Sequence, residues 1–268
     1  GQFQDVDYLI ITPKDLNTQA EKLANFHRNY SNLKVKVVNL ENIYPEFSSG
    51  KQDIGAIRNF VKYVYENASS SDNRVKYLNL FGDGSYDFKD RVPNNTNIVP
   101  TYQSLNSFTE SESSFTSDDF FGLMSPNEGR MDFGTLPLNG QMSITPNYGQ
   151  LDIAVGRMIV SSTQQAEEMV NKVIEYHDIK SYGNWRNNYV SIADYPSIGS
   201  NGQATSDNQL QYFQNRLTDR ITLEKPFINP KKIILDAYVQ ETSAGGKRYP
   251  KAREELFAAF EKGALVFN

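Results

Sequence analysis

The sequence predicts an α/β fold of parallel sheets flanked by helices, in two side-by-side subdomains of which the second is incomplete. Three observations predict it. Apolar runs of strand length alternate with stretches of helical periodicity along the chain, the pattern of strand–helix–strand units and mostly parallel sheets. Gly183 ends a long helical stretch, which places the boundary between subdomains 1–183 and 184–268. The final apolar run, Ala264–Asn268 (ALVFN), reads as one more buried strand with no loop after it, as expected of an unfinished domain.

Each element follows from its local pattern. Tyr8–Thr12 (YLIIT) is a short strand stopped by Pro13. A helix follows, with Leu16, Ala20, Leu23, Ala24 and His27 on one face. Lys34–Leu40 alternates as a strand and leads into a Pro/Ser/Gly loop. Asp53 is the expected N-cap of a helix striped by Ile54, Ile57, Val61 and Val64. Val75–Phe81 is the next strand, ending at Gly82. Residues 84–150 form a long loop-rich stretch rich in Pro, Ser, Gly and Asn, of a size that in compact domains usually carries function. Leu151–Val155 is predicted as a strand and Thr163–Lys180 as a helix. The second subdomain reads as strand Tyr189–Ala193, helix Asp207–Ile221, strand Lys232–Asp236, helix Lys251–Lys262 and the closing strand. Ala244-Gly245-Gly246 reads as a connecting loop.

Composition excludes several functions. The chain of 268 residues is long enough for one large domain or two small ones. With 38% hydrophobic and 22% charged residues it is globular rather than disordered. A net charge of −5 without a Lys/Arg stripe argues against nucleic acid as a partner. No apolar run approaches a membrane span, and Gly1–Asp5 lacks the basic-then-apolar start of a signal peptide, which suits a mature or excised segment. Cysteine is absent, so no disulfide, thiolate zinc site or cysteine nucleophile lies within these residues. His27 and His177, the two histidines, both read as core-edge residues of their helices rather than catalytic or metal-binding groups.

Open parallel sheets bind ligands outside the carboxyl ends of their strands. The strand ends here give Gly82-Asp83-Gly84-Ser85-Tyr86-Asp87, then Gly156-Arg157, then Asp194-Tyr195, then Asp236-Ala237-Tyr238. Asp83, Asp87, Asp236 and Tyr238 are the candidate rim of a substrate cleft. Asp83 and Asp87 read equally as a structural turn with Asx hydrogen bonds. The glycines are not a phosphate loop, since no GxxxxGK[ST] is present. Arg157 either pairs with a rim carboxylate or merely ends a strand.

At these same residues the sequence resembles the gingipain family of caspase-like cysteine peptidases, and within it the sortases of type IX secretion. The matching stretches run in order: FSSGKQDIGAIRNFVKYVY (Phe47–Tyr65), YLNLFGDGSYDFKDR (Tyr77–Arg91), NIVPTYQS (Asn97–Ser104), SDDFFGLM (Ser117–Met124), LDIAVGRMIV (Leu151–Val160), GNWRNN (Gly183–Asn188), DAYVQETSAGGKRYP (Asp236–Pro250) and KGALVFN (Lys262–Asn268). The resemblance implies a caspase-like architecture and a His–Cys dyad, with the histidine after the strand that matches ALVFN and the cysteine after the next one. Both are then expected beyond Asn268, and this chain alone is expected to be inactive. Asp194 stands where the family has a carboxylate that supports the histidine, although Tyr195-Pro196 follows it here instead of a second acidic residue.

The resemblance further implies an enzyme that removes a C-terminal sorting domain from secreted polypeptides at the outer membrane. Such an enzyme passes the acyl group to an amine on surface lipopolysaccharide and works with an outer-membrane barrel partner at the cell surface. No cofactor is required. Calcium is a candidate at Asp118 and Asp119, since oxygen ligands cluster in that loop and gingipains are known for calcium sites. The competing reading is a peptidase-like binding or scaffold module without a dyad.

Overall fold

The computed structural model describes residues 2–104, 114–126, 128–129, 131, 150–194 and 208–268. The chain divides into two compact units, Gly1–His177 and Asp178–Asn268. The two short 3-10 turns Ile179–Ser181 and Asn184–Asn187, on either side of Gly183, therefore belong to the second unit.

In the first unit, strands β1 (Tyr8–Thr12), β2 (Val35–Asn39), β3 (Tyr77–Phe81) and β6 (Ala154–Met158) form a parallel sheet in the order β2-β1-β3-β6. Side chains alternate between its faces. Leu9, Ile11, Leu78 and Leu80 pack against Ile43 of helix α2 (Leu40–Ser48) and Ile57, Val61 and Val64 of α3 (Ile54–Glu66). Ile10 and Phe81 pack on the opposite face against Ala20, Leu23 and Ala24 of α1 (Asn17–Tyr30) and Ala166 and Val170 of α4 (Thr163–His177). Helix α3 starts as its sequence predicts, with the Asp53 carboxylate accepting from the Gly55 N–H at 2.7 Å. A two-residue antiparallel pair, β4 (Tyr102–Gln103) with β5 (Thr116–Ser117), lies in the long connection between β3 and β6.

Two expectations are corrected here. Residues 40–48 form α2 rather than a loop, although Pro45 inside it removes one helical hydrogen bond. Burial of Leu40 and Ile43 outweighs that loss, and the helix stops at Ser49 and Gly50, both in left-handed conformation. Strand β6 begins three residues later than the apolar run suggests. Leu151 is exposed, and Asp152 instead receives the Met124 N–H on its carboxylate while its own N–H bonds the Gly122 carbonyl. Gly156 and Arg157 consequently lie within the strand rather than after it.

In the second unit, β7 (Asn188–Ala193) is the middle of a parallel sheet ordered β11-β7-β8, with β8 at Asn229–Ile234 and β11 at Val266–Phe267. Val190 and Ile233 pack with Ala252 and Ala259 of α6 (Pro250–Lys262). Helix α5 (Asn208–Glu224) packs beside β7 and β8. Residues 241–248 are not a plain connecting loop but a hairpin, β9 (Glu241–Ser243) with β10 (Gly246–Arg248). Gly246 at φ 98° supplies a backbone conformation that other residues rarely adopt.

Candidate functional site

At the carboxyl end of the first unit's sheet, one side chain organises the loops. Arg157 projects from β6 with its side chain 10% exposed. Its Nε and Nη2 donate to the two carboxylate oxygens of Asp118 at 2.8 and 2.7 Å. Its Nη1 donates to the carbonyls of Gly82 at 2.8 Å and Val99 at 2.7 Å. Thr101 adds a hydroxyl to Asp118 at 3.0 Å. This bidentate fork ties the segment after β3 to the turn that opens at Asp118, the use for which a planar guanidinium is suited. Arg157 thus does more than end a strand, but its carboxylate partner is Asp118 rather than one of the rim candidates.

Asp83 and Asp87 hold the same loop from within. The Asp83 carboxylate accepts from Thr96 Oγ1 at 2.5 Å, and its carbonyl accepts from the N–H groups of Ile98 and Val99. Asp87 is buried, and one of its oxygens accepts from the N–H groups of Arg91 and Val92, both at 2.6 Å. The pair builds the rim loop and stabilises its return. Gly82 is required there by close approach, because a Cβ would lie 2.7 Å from Val99 Cγ2. A second clamp, absent from the sequence reading, is Arg58, which donates to the carbonyls of Leu123 and Glu128. Partial burial lowers its pKa, with the Glu128 charge opposing. Nothing in its helical spacing separates Arg58 from a solvated arginine.

Both oxygens of Asp118 are committed to the Arg157 guanidinium, and Asp119 is an exposed residue at the start of a 3-10 turn. Among the described residues no group of three or more His, Cys, Asp or Glu side chains is placed to hold a metal.

In the second unit, Asp194 and Asp236 stand at the carboxyl ends of neighbouring parallel strands, whose last paired residues are Ala193 and Ile234. Both aspartates are exposed. The Asp194 carbonyl accepts from Gln211 Nε2 at 2.6 Å, which fastens the end of β7 to α5. Tyr238 turns back to α6, its hydroxyl donating to Glu255 Oε2 at 3.0 Å, and Lys231 reaches the same oxygen at 3.0 Å. Burial, then the bond and charge of Glu255, raise the Tyr238 pKa, while Lys231 and then Tyr238 lower that of Glu255. Tyr238 thus anchors the strand end, leaving the two aspartates as its exposed acidic groups. Tyr195 and Pro196 fall outside the described residues.

The two histidines, read as separate core-edge residues, meet across α1 and α4. Their ring centroids are 6.3 Å apart, with Phe26 and Tyr30 packed on His177 and Tyr8 on His27. Periodicity along each helix shows the apolar face but not which helices pack together.

The chain has several relatives of known structure or family. The dimeric latent PorU of Porphyromonas gingivalis superposes with a TM-score of 0.53 at 28% identity, covering 67% of this chain and 16% of that one. The complex of the pro- and mature domains of RgpB from the same organism gives a TM-score of 0.52 at 17% identity, covering 85% of this chain and 42% of that one. Both share its parallel sheets flanked by helices, and the chain spans less than half the length of either. No curated protein sequence matches it. The profile described as Peptidase family C25 matches residues 2–268. This chain therefore belongs to peptidase family C25, the gingipain family of cysteine peptidases.

Proposed function

We propose that the chain is part of a cysteine endopeptidase of the sortase kind. That enzyme would cleave the C-terminal sorting domain from type IX secreted polypeptides outside the cytoplasm and transfer the acyl group to an amine on surface lipopolysaccharide. The observation that carries the reading is the register at the end of the second unit's sheet. Asn268 donates its N–H to the Val190 carbonyl and accepts from the Ile192 N–H. A residue joined to Asn268 would run beside Ala193 and Asp194, the place where the family resemblance expects the catalytic histidine. With no cysteine among these 268 residues, the thiolate must come from outside them. The resemblance of the matching stretches to the sortases of type IX secretion is what favours the sortase over a general endopeptidase.

In this mechanism the thiolate attacks the scissile carbonyl carbon, and the imidazolium protonates the departing amine. Asp194 accepts a hydrogen bond from the imidazole N–H and so orients the ring, acting as a positioning residue. A bound amine then displaces the sulfur when it reaches the thioester before water does. Asp236 would border the substrate beside Asp194, and an outer-membrane barrel would hold the enzyme at the surface.

The test uses the longer gene product and this chain side by side. The longer protein should react with a cysteine-directed activity probe, whereas the 268-residue chain should not. Asp194→Asn in the longer protein should lower kcat at least tenfold with little change in KM. A longer protein that no such probe labels would instead be a peptidase-like scaffold, and normal kcat in the Asp194 variant would remove that residue from the mechanism.

A further inference from the structure

Helix α5 turns polar side chains toward its sheet. Gln211, Gln214 and Thr218 share one side of it, spaced a helical turn apart. Gln211 is 7% exposed and Thr218 is fully buried, whereas Leu210, Phe213 and Leu217 point away and are 63%, 57% and 45% exposed. Apolar residues at the inward positions would remove more apolar surface from water. The glutamines forgo that gain and make hydrogen bonds, which have a direction where burial has none.

Those bonds end on two neighbouring strand ends. Gln211 Nε2 donates to the Asp194 carbonyl at 2.6 Å, one residue past β7. Gln214 Oε1 accepts from Asn268 Nδ2 at 2.9 Å, one residue past β11, and from the buried Ser191 hydroxyl at 3.0 Å. The Thr218 hydroxyl donates to the Gln214 carbonyl at 2.7 Å. Asn268 Nδ2 also donates to the Tyr189 hydroxyl at 2.9 Å, and the Asn268 backbone bonds those of Val190 and Ile192. Strand β11 is only two residues long. A ladder this short holds its end weakly, and the side-chain bonds of Gln214 and Tyr189 supply the missing constraint.

Resting on the peptidase reading above, we propose that Gln211 and Gln214 are positioning residues that together set the distance between Asp194 and the histidine expected beyond Asn268. Both side chains project from one helix, so the two strand ends are referenced to a single rigid element. The glutamines act through the segments they hold, and Asp194 and the histidine do the chemistry. A displacement of about 1 Å in such an arrangement costs roughly a hundredfold in rate. Directional bonds therefore serve this end of the sheet better than further burial.

The test uses the longer gene product, with a cysteine-directed probe to count active sites. Gln214→Met combined with Ser191→Ala removes the tie to Asn268 without orphaning the Ser191 hydroxyl. Gln211→Asn shortens the reach to Asp194 and stays polar. In each, kcat per titrated site should fall about tenfold while KM stays within about threefold. The pH at which iodoacetamide alkylates the cysteine should rise by about one unit, because a misplaced imidazole stabilises the thiolate less. Gln214→Glu keeps an acceptor in the same place and should retain kcat within about threefold. A purely structural role would lower Tm alone, so wild-type kcat and alkylation profile in folded variants would overturn the proposal. Should the double variant not fold, Gln211→Asn decides by the same two readouts. A wild-type longer protein that the probe leaves unlabelled removes the peptidase reading and this proposal together, whereas a labelled wild type with unaffected variants removes the glutamines alone.

Discussion

Helix α3 in the first unit buries Ile57, Val61 and Val64 against its sheet, whereas α5 in the second turns Gln211, Gln214 and Thr218 inward. The Ser191 hydroxyl of β7 donates to Gln214 Oε1 at 3.0 Å. The same helix leaves Leu210, Phe213 and Leu217 more than two-fifths exposed. The first unit is held by apolar burial on both faces of its sheet, while the α5 side of the second is held by hydrogen bonds. The difference shows two ways of placing a strand end. Burial stabilises without direction, but the Gln211 bond to the Asp194 carbonyl sets one backbone position, that of the residue proposed to orient the histidine.

The contrast can be broken most forcefully at Arg157. Replacing it with alanine strands the Asp118 carboxylate and several loop carbonyls, which should cost about 3–5 kcal/mol of unfolding free energy. A denaturant melt measures it, and a change under about 1 kcal/mol would mean that the loops are held by other means. Next come paired core truncations. Leu80→Ala in the first unit and Ile233→Ala in the second each remove a fully buried side chain and should cost about 2–5 kcal/mol. The second should fall at the lower end, because fewer buried side chains surround Ile233 and they can relax. Equal losses would show that the smaller core is as tightly specified as the larger.

The histidine contact gives a pH dependence that belongs to the first unit alone. The His27 pKa is lowered below its ordinary 6.5 by burial and then by His177. Below about 6.5 the unfolded chain therefore binds more protons than the folded one. His27's contribution should leave stability intact above that pH and reduce it as pH falls, so Tm should drop between pH 7 and 5. His27→Gln should flatten that slope, and an unchanged slope would assign the effect to other groups. The smallest effect is expected on α5. Leu217→Lys, on the exposed stripe, should shift stability by no more than about 0.5 kcal/mol, whereas Val61→Lys in α3 should prevent folding. A large loss from Leu217→Lys would show that the α5 stripe is buried in solution.

Much of this architecture is legible in the residues. The apolar runs YLIIT and VKYLNLF mark β1 and β3, and Asp53 marks the start of α3, because these signals are local and act through alternation or a single cap. Helix α2 is not legible, since Pro45 and the following Ser-Ser-Gly read as a loop until Ile43 is seen buried. Strand β6 is displaced for the same reason: LDIAV has the stronger apolar run, but pairing with Tyr77–Phe81 selects Ala154–Met158. For the candidate site, the strand-end rule located Asp83, Asp87, Asp194 and Asp236, yet it could not tell a cleft carboxylate from one that holds its own loop.

The amino-acid order alone determined the alternation of strands and helices, the absence of a thiol and the family resemblance, because each depends on neighbouring residues or on composition. Only the tertiary structure decided that Arg157 and Asp118 pair, that His27 meets His177, and that Asp194 and Asp236 end adjacent strands. Those relations join residues distant in sequence, and they are selected by which packing satisfies buried polar groups while removing the most apolar surface from water.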